Sequence, residues 1–409
     1  MGQGQIGRRE GRARYARRSV AVLAFALLVL TSCREPVPQA PPSPPAQGRG
    51  APAARIPPAP PPAGSRALKD PGAGLYLKDR LPPDGMRFLD HVVVQGDWSE
   101  FEPRDQQFTG PGWDRVEEAL ADPDLKVRLR IQAGRGSPAF VKSQGGPARS
   151  GDGVDCSEEG GIAIAKGRTT TDGLAKEASS GCVPYFWTDA FLHQYEQLMT
   201  EVSRRYESNP RLLDVVDSAC MTFFAEPFIR AGRSGSTNAR LFEAGLNEQT
   251  DEACHRRSLE IHDRLFPTTR VSLATHSVWQ IVGDPETNRN GVTLSWDRQR
   301  ELLEDLRSRY GGKLVVQNNG LGGGEGCRAG GQGSGTHFCW LASAAPPKGF
   351  QTEGGTRLES RGFTELDAVE QAIEMGACFV EHNRFRGDPK QVERYDERLR
   401  ENCSGRPSG

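Results

Sequence analysis

Acidic residues occur at the ends of several short apolar runs in this chain of 409 residues. Glu226 follows a run that begins at Leu212, and Glu353 ends the run that begins at Gly349. Hydrolysis of a glycosidic bond needs two carboxyl groups, one to protonate the leaving oxygen and one to attack or stabilise the anomeric centre. We therefore take Glu226 as the candidate acid/base and Glu353 as the candidate nucleophile. The structural alternatives are an ion pair of Glu226 with Arg230 or Arg130, and a solvated loop position for Glu353.

Amides, aromatic rings and further charged groups lie close to the same run ends. Amides and charged groups can bond sugar hydroxyls, and flat aromatic faces can stack on pyranose rings. The candidates for substrate contact are Trp98, Arg130, His276, Trp279, Asn318, Trp340, Gln351 and Glu381. Each also has a structural interpretation: Asn318 can satisfy a turn, His276 can be a hydrogen-bonded strand end, and Glu381 can be a paired rim carboxylate.

The candidate residues can lie in one site only if the strands that precede them belong to one sheet. Eight apolar runs alternate with helical patterns, and most lack strict alternation, as in strands that are buried on both faces. They span residues 73–77, 91–98, 126–133, 212–224, 270–276, 313–318, 349–353 and 377–381. Over about 330 residues this order favours a (β/α)8 TIM-type barrel of the α/β class with long loops. A doubly wound sheet is the alternative, but no phosphate-binding glycine motif follows any run.

Helix signals support the same order. Thr188 and Ser295 are suited to cap helices, and Thr364 with Asp367 forms a capping-box variant. Asp388-Pro389 opens a last helix. Residues 134–185 and 320–347 lack regular pattern, and both follow strand ends, where barrel enzymes build their sites.

The N-terminus has the pattern of an export signal. An arginine-rich start precedes the apolar run 20–30, which is too short to span a bilayer. The tetrapeptide that ends in Cys33 resembles a bacterial lipobox, which implies cleavage before Cys33 and a lipid anchor in the membrane. We expect a signal peptide at 1–32, a proline-rich linker at 33–66 and one barrel domain at 67–409, with the protein in the cell envelope.

The remaining eight cysteines are an even number, which in an exported chain favours disulfides. Cys156–Cys182 and Cys327–Cys339 are the expected pairs, because each closes a glycine-rich loop. The scattered histidines and the lack of a CxxC pair give no metal site, and no cofactor is expected. Residues 1–66 carry ten Arg and two Glu, so the rest of the chain is net negative. This excludes a nucleic-acid partner and leaves the oligomeric state open.

Several segments together resemble a known clan of enzymes. VVVQGDWSEFEPRDQQFTGPGWDRVEEAL and VRLRIQAG resemble the second and third β/α units of clan A glycoside hydrolases, with the family 42 beta-galactosidase type the most similar. VPYFWTDAF, RYESNP and FFAEPFIR resemble the approach to the acid/base glutamate of that clan, which implies this role for Glu226. GFQTE likewise implies that Glu353 is the strand 7 nucleophile.

One residue departs from the pattern of the clan. Members carry Asn immediately before the acid/base glutamate, where it bonds the sugar 2-hydroxyl, and this chain has Ala225. The first hypothesis is a membrane-anchored glycoside hydrolase that acts with retention on a carbohydrate substrate. The alternatives are a barrel lipoprotein that binds glycans without cleaving them, which Ala225 favours, and an unrelated barrel enzyme.

Overall fold

Eight parallel strands close into a barrel in the computed structural model, which describes residues 67–165, 180–223, 235–275, 296–324, 327 and 334–404. The described strands are β1 (Gly74–Lys78), β2 (His91–Asp97), β3 (Lys126–Gln132), β4 (Ile162–Ala165), β5 (Ser180–Val183), β6 (Leu212–Val216), β7 (Arg270–Thr275), β8 (Leu314–Leu321), β9 (Lys348–Thr352) and β10 (Phe379–His382). The barrel order is β1-β10-β9-β8-β7-β6-β3-β2. The predicted (β/α)8 architecture is confirmed, and each predicted run contributes one barrel strand.

The described helices follow the strands of the barrel. They are α1 (Pro111–Ala121), α2 (Ala139–Lys142), α3 (Asp189–Tyr206), α4 (Gly235–Glu243), α5 (Glu248–Leu265), α6 (Trp296–Tyr310), α7 (Ser334–Ser343), α8 (Gly355–Ser360), α9 (Glu365–Glu374) and α10 (Pro389–Ser404). Helix α1 packs on β2 and β3, and α10 packs on β1 and β10. The helices thus cover the outward face of the sheet.

The helix starts are where the capping residues predict them. The Thr188 hydroxyl accepts a hydrogen bond from the amide of Phe191 at the start of α3. Thr364 and Asp367 exchange side-chain and backbone hydrogen bonds at the start of α9, and α10 begins at Pro389. Each such cap satisfies amides that have no partner within the helix. Ser295 lies outside the described residues.

One strand and both irregular stretches differ from the prediction. The stretch 320–347 contains helix α7 (Ser334–Ser343). Strand β6 ends at Val216, eight positions before the predicted end, and the chain bends at Ala219 and Cys220. The stretch 134–185 contains the antiparallel strand pair β4 and β5, in which Ala163 is paired with Cys182. Four-residue strands carry too little periodicity to be recognised without this pairing.

Three disulfides link described residues. Cys156–Cys182 and Cys327–Cys339 are bonded, which confirms both predicted pairs. A third disulfide joins Cys220, which follows β6, to Cys254 in α5. Disulfides of this kind are typical of proteins in oxidising compartments. Within the described part of the chain, no helix is both long and apolar enough to cross a bilayer.

The two faces of the barrel sheet have different chemistry. Outward side chains such as Leu75, Val92, Leu129 and Val316 are buried in the main apolar core under the helices. The inward face carries charged groups, of which the central one is the fully buried Arg128. This polar interior differs from the apolar one that continuous runs predict.

Arg128 is held by two acids from opposite parts of the barrel. Its Nη2 lies 2.8 Å from Asp214 Oδ2 on β6, and its Nη1 lies 2.5 Å from Glu381 Oε1 on β10. The guanidinium carbon lies 3.8 Å from the centre of the Phe379 ring and 4.7 Å from that of Tyr76. Burial alone would lower the pKa of Arg128, but Asp214 and Glu381 raise it above its usual value. The floor of the barrel is therefore a charge-balanced network rather than a cavity.

Candidate active site

The carboxyl end of the barrel is lined by the inward side chains one layer above Arg128. Side chains alternate along a strand, so residues two apart share a face. The inward positions of this upper layer are Lys78, Gln95, Asp97, Arg130, Gln132, Gln317, Asn319, Gln351, Glu353 and Glu381. Half of these residues are amides and half are charged, and we call the set the barrel mouth.

Arg130 is the centre of the hydrogen bonding in the barrel mouth. Its Nη2 donates to Glu381 Oε2 at 2.6 Å, and its Nη1 donates to Gln351 Oε1 at 3.0 Å. A longer contact of 3.4 Å joins Nη1 to Gln95 Oε1. Four strands are thereby connected through one planar cation, whose geometry suits several acceptors at once. The structure thus brings together three predicted contact residues, Arg130, Gln351 and Glu381.

Glu381 is fully buried and uses both carboxylate oxygens on arginines. Burial would raise the pKa of its carboxyl, but Arg130 and Arg128 more than offset this effect and lower it. The carboxylate is therefore held ionised between two cations. Its predicted contact with a sugar does not fit this geometry, because no part of the side chain is exposed. Glu381 instead fixes the position of Arg130.

Glu353 directly follows β9 at the carboxyl end of the barrel. Its side chain is 10% exposed and lies between two arginines of the segment that follows. Arg357 Nε is 3.0 Å and Arg361 Nη1 is 3.2 Å from Glu353 Oε2. Its backbone amide donates to the carbonyl of Leu321 on β8. The Glu353 carboxylate is thus paired with two guanidinium groups through one of its oxygens.

Amides of β8 add polar groups to the barrel mouth. Gln317 Nε2 donates to Asn319 Oδ1 at 2.6 Å, while Gln317 Oε1 accepts from Arg128. Asn319 is only partly buried. The mouth therefore offers amide groups that are held in place from below, as binding of a polyhydroxylated ligand requires.

Asn318 points the other way, toward the helices. Its Nδ2 donates to the Thr275 carbonyl at 3.1 Å and lies 3.1 Å from His337 Nε2. Its Oδ1 accepts from the amide of Gly320. With 4% of the residue exposed, the predicted sugar contact of Asn318 does not fit, and the turn interpretation does.

Neither described tryptophan among the predicted contacts lies in the barrel mouth. Trp98 has no exposed surface, and its Nε1 donates to Glu102 Oε2 at 2.8 Å. Trp340 of α7 lies in the outer layer, where its Nε1 donates to Glu304 and its ring packs edge-on against Trp296. Stacking on a sugar needs an open ring face in the site, so these two predictions do not fit the structure.

Other predicted residues lie outside the described part of the chain. These are Glu226, His276, Trp279 and Cys33. Phe223 is the last described residue of the segment that follows β6. This segment lies close to the end of β3, because the carbonyl of Thr222 accepts a hydrogen bond from the amide of Arg135 at 2.9 Å. Phe223 thus lies at the carboxyl end of the barrel, and Glu226 is three positions further along the sequence.

Two acids at this end were missed by the sequence analysis. Asp79 follows β1, and Asp97 is the last residue of β2. Burial raises the pKa of both carboxyl groups. Asp79 also has a φ of 59°, a left-handed conformation that aspartate tolerates. Their position at strand ends was the available signal. Among the described residues, no group of three or more His, Cys, Asp or Glu side chains could hold a metal ion.

Comparisons with known proteins give structural similarity at low identity. No family model matches the sequence, and no curated protein matches it significantly. Endo-glycoceramidase II from Rhodococcus sp., in complex with a cellobiose-like imidazole, is 14% identical, with 81% of this chain and 80% of that chain covered and a TM-score of 0.41. Exo-beta-1,4-mannosidase Op5Man5 from Opitutaceae bacterium strain TAV5 is 10% identical over 84% and 62%, with a TM-score of 0.42.

A beta-galactosidase from the psychrophilic Marinomonas ef1 is 10% identical over 80% of this chain and 59% of that chain, with a TM-score of 0.41. Identities and TM-scores this low assign no function to the chain. The residues of the barrel mouth and the sequence motifs are therefore the basis for a proposed function.

Proposed function

We propose that this chain is a retaining glycoside hydrolase of the clan A type, similar to family 42, in which Glu353 is the nucleophile and Glu226 the acid/base. The single observation that carries the proposal is the position of Glu353. It is a largely buried carboxylate that directly follows the seventh barrel strand at its carboxyl end, lies between two guanidinium groups and is two positions after Gln351. Carboxylates at such strand ends are where barrel enzymes place catalytic groups.

The proposed reaction has two steps. Glu353 attacks the anomeric carbon while Glu226 gives its proton to the departing glycosidic oxygen, and a glycosyl ester on Glu353 results. Glu226 then takes a proton from water, which attacks the same carbon and releases the sugar and free Glu353. This course requires the two carboxyl groups to lie about 5–5.5 Å apart, which is the separation typical of retaining enzymes.

The remaining mouth residues bind and position the substrate. Gln351 accepts from Arg130 through Oε1, so its amide N–H groups are oriented for sugar hydroxyls. Arg130 in turn is fixed by the buried Glu381. His276 and Trp279, which follow β7 in the sequence, are proposed as further substrate contacts.

Mechanism-based trapping tests this assignment directly. A panel of activated 2-deoxy-2-fluoro glycosides is incubated with the protein, and the labelled peptide is identified by mass spectrometry. We expect an adduct on Glu353 and none on Glu353→Gln. Glu359→Gln, an exposed glutamate on the adjacent helix α8, is the matched control and should keep both turnover and labelling.

The role of Glu226 as the acid is tested by how strongly its replacement affects substrates with different leaving groups. Glu226→Gln should lower kcat/KM on poorly activated glycosides by about 10²–10⁴-fold, which is the usual contribution of acid–base catalysis. Substrates with good leaving groups should lose much less in the first step, because they need no protonation. Equal loss on both substrate types, or an adduct on another carboxylate, would contradict the proposed roles.

Ala225 favours a second candidate, which is a glycan-binding barrel without hydrolysis. The clan uses Asn at this position for the sugar 2-hydroxyl, and alanine offers no donor. Isothermal titration with oligosaccharides distinguishes the two functions. Binding to the wild type and Glu226→Gln with no turnover in either would support the binding protein, and turnover by the wild type would exclude it.

We further propose that the protein is anchored in the cell envelope by a lipid on Cys33, with residues 33–66 as the linker. The support is the export signal and lipobox pattern in the sequence, together with the three disulfides. Metabolic labelling with an alkyne fatty acid should mark the wild type, and Cys33→Ala should be unlabelled and released from membranes. Unchanged membrane attachment of Cys33→Ala would contradict the anchor.

A further inference from the structure

Two cysteines lie together at the amino-terminal end of the barrel without a disulfide between them. Among the described residues, Cys378 and Cys403 are the free cysteines. Cys378 immediately precedes β10 and is fully buried, whereas Cys403 lies in the last turn of α10 and is partly exposed. Cys403 packs against the small interior cluster that contains Cys378, Tyr76 and Phe379.

Neighbouring backbone contacts hold the two cysteines in place. Asn402 Nδ2 donates to the carbonyl of Ala377 at 3.2 Å and to that of Ile373 at 3.0 Å. The residue before Cys403 is thus fastened to the residue before Cys378. The amide of Cys378 donates to the Lys348 carbonyl on β9 at 2.8 Å. The backbone next to each cysteine is therefore held to the same end of β10.

We propose that Cys378 and Cys403 are a modification site: in the exported protein they form a fourth disulfide, which ties the C-terminal helix to the barrel. The pair is closed by thiol–disulfide exchange with a low-molecular-weight or protein disulfide. One thiolate of the pair attacks that disulfide and gives a mixed disulfide with loss of one partner thiol. The other thiolate then displaces the second partner thiol, so the two cysteines are oxidised and one partner disulfide is reduced to two thiols.

The surroundings of Cys378 favour the second step of this exchange, whereas the contact with Cys378 and burial raise the pKa of the more exposed Cys403. A hydrogen bond from Cys403 lowers the pKa of the Cys378 thiol, and the positive charges of Lys348 and Arg270 act in the same direction. Arg307 is a third cation near Cys378. Thiolates, not thiols, are the nucleophiles in exchange, and nearby cations promote them. The partly exposed Cys403 gives the external disulfide access to the pair.

Peptide mapping tests the proposal on the exported protein, purified without reductant and alkylated with N-ethylmaleimide before digestion. Trypsin yields one peptide that contains Cys378, residues 362–384, and one that contains Cys403, residues 401–409. We expect these two peptides as a disulfide-linked species that separates after reduction. Recovery of both as separate alkylated peptides would overturn the proposal. In Cys403→Ser, peptide 362–384 should become alkylated.

Thermal unfolding supplies a second measurement. Closing a loop across the 25 positions between the two cysteines should raise Tm by roughly 5 °C for a domain of this size. Cys403→Ser should lose that increment in the absence of reductant, whereas Ser404→Ala in the same helix turn should leave Tm unchanged. Equal Tm values for Cys403→Ser and Ser404→Ala would count against the bond.

Discussion

Arg130 and Glu381 meet in the middle of the barrel, with Arg130 Nη2 2.6 Å from Glu381 Oε2 and both side chains buried. The same carboxylate also holds Arg128 in the layer below. One acid on β10 therefore connects the floor of the barrel to the mouth, where Arg130 orients Gln351. This relationship couples the stability of the fold to the geometry of the proposed site.

Glu381→Gln should destabilise the protein strongly. The substitution keeps the shape but leaves Arg128 and Arg130 with one acid, Asp214, in place of two. Breaking a buried ion pair in this way costs about 3–5 kcal/mol, and urea unfolding at pH 7 measures the change. Glu374→Gln on the exposed face of α9 is the matched control and should change stability by less than about 0.5 kcal/mol. A loss below about 1 kcal/mol in Glu381→Gln would contradict the network.

The same pair predicts how this contribution depends on acid. The pKa of Glu381 is lower in the folded protein than the usual 4.5, so the folded state favours the ionised form. Its contribution to the free energy of unfolding is complete above about pH 4.5 and is lost as the pH falls below that value. The difference in unfolding free energy between wild type and Glu381→Gln should therefore become smaller as the pH falls from 5 to 3. A gap that stays constant over this range would show that the charge of Glu381 is not responsible.

The barrel itself follows from the sequence because each barrel strand is a short apolar run and several helices have a local start signal. The capping residues Thr188 and Thr364 act within one turn, so their role needs no distant contact. The apolar runs do not predict that the interior of the barrel is polar. Strand β3 reads KVRLRIQ, a strict alternation, and its basic residues Arg128 and Arg130 point inward. Their acids are 86 to 253 positions away, so no local pattern can reveal the pairing.

The candidate site is predictable to the same extent. Arg130, Gln351 and Glu353 are recognisable because they sit at strand ends. The inward or outward direction of a side chain there depends on the register of the closed barrel, so Asn318 and Asn319 cannot be told apart from sequence alone. Trp98 shows the same limit, since only the packing of the loop after β2 decides that its indole is covered.

His382 predicts a second, separate pH effect on stability. This buried ring is hydrogen-bonded to Thr352, and burial lowers its pKa to about 4 from the usual 6.5. The folded state thus favours the neutral ring, and the stability this provides is complete above pH 6.5 and is lost as the pH falls from 6.5 to about 4. The full change is of order 2–3 kcal/mol.

Comparison of two histidine variants isolates this effect. His382→Asn should show a shallower fall in unfolding free energy between pH 6.5 and pH 4 than the wild type does. His193→Asn, at an exposed position on α3, should keep the wild-type profile. Both variants should still lose some unfolding free energy as the pH falls from 6.5 to 4, because burial also lowers the pKa of His262 to about 4. Parallel profiles for all three proteins would contradict the prediction for His382.

Cys254→Ser should weaken the segment that leads toward Glu226. The Cys220–Cys254 disulfide fastens the chain after β6 to α5. Its loss should cost about 2–5 kcal/mol of unfolding free energy, and trypsin should cleave the native protein faster near Arg230 and Arg233. Limited proteolysis with N-terminal sequencing measures this change. Gln249→Ser, at an exposed position on the same helix, keeps the disulfide and serves as the control; equal cleavage rates in the two variants would contradict a fastening role.

Gln351→Leu should weaken substrate binding more than chemistry if the mouth holds a sugar. The leucine keeps the volume but removes the amide that Arg130 orients. Loss of a neutral hydrogen bond to the sugar should raise KM by about 5–10-fold, with kcat changed less, whereas Glu353→Gln should abolish kcat. Steady-state kinetics on the glycoside that the substrate panel identifies measures both. Gln249→Leu, exposed on α5, controls for the added apolar surface. An unchanged KM in Gln351→Leu would place the sugar elsewhere than against β9.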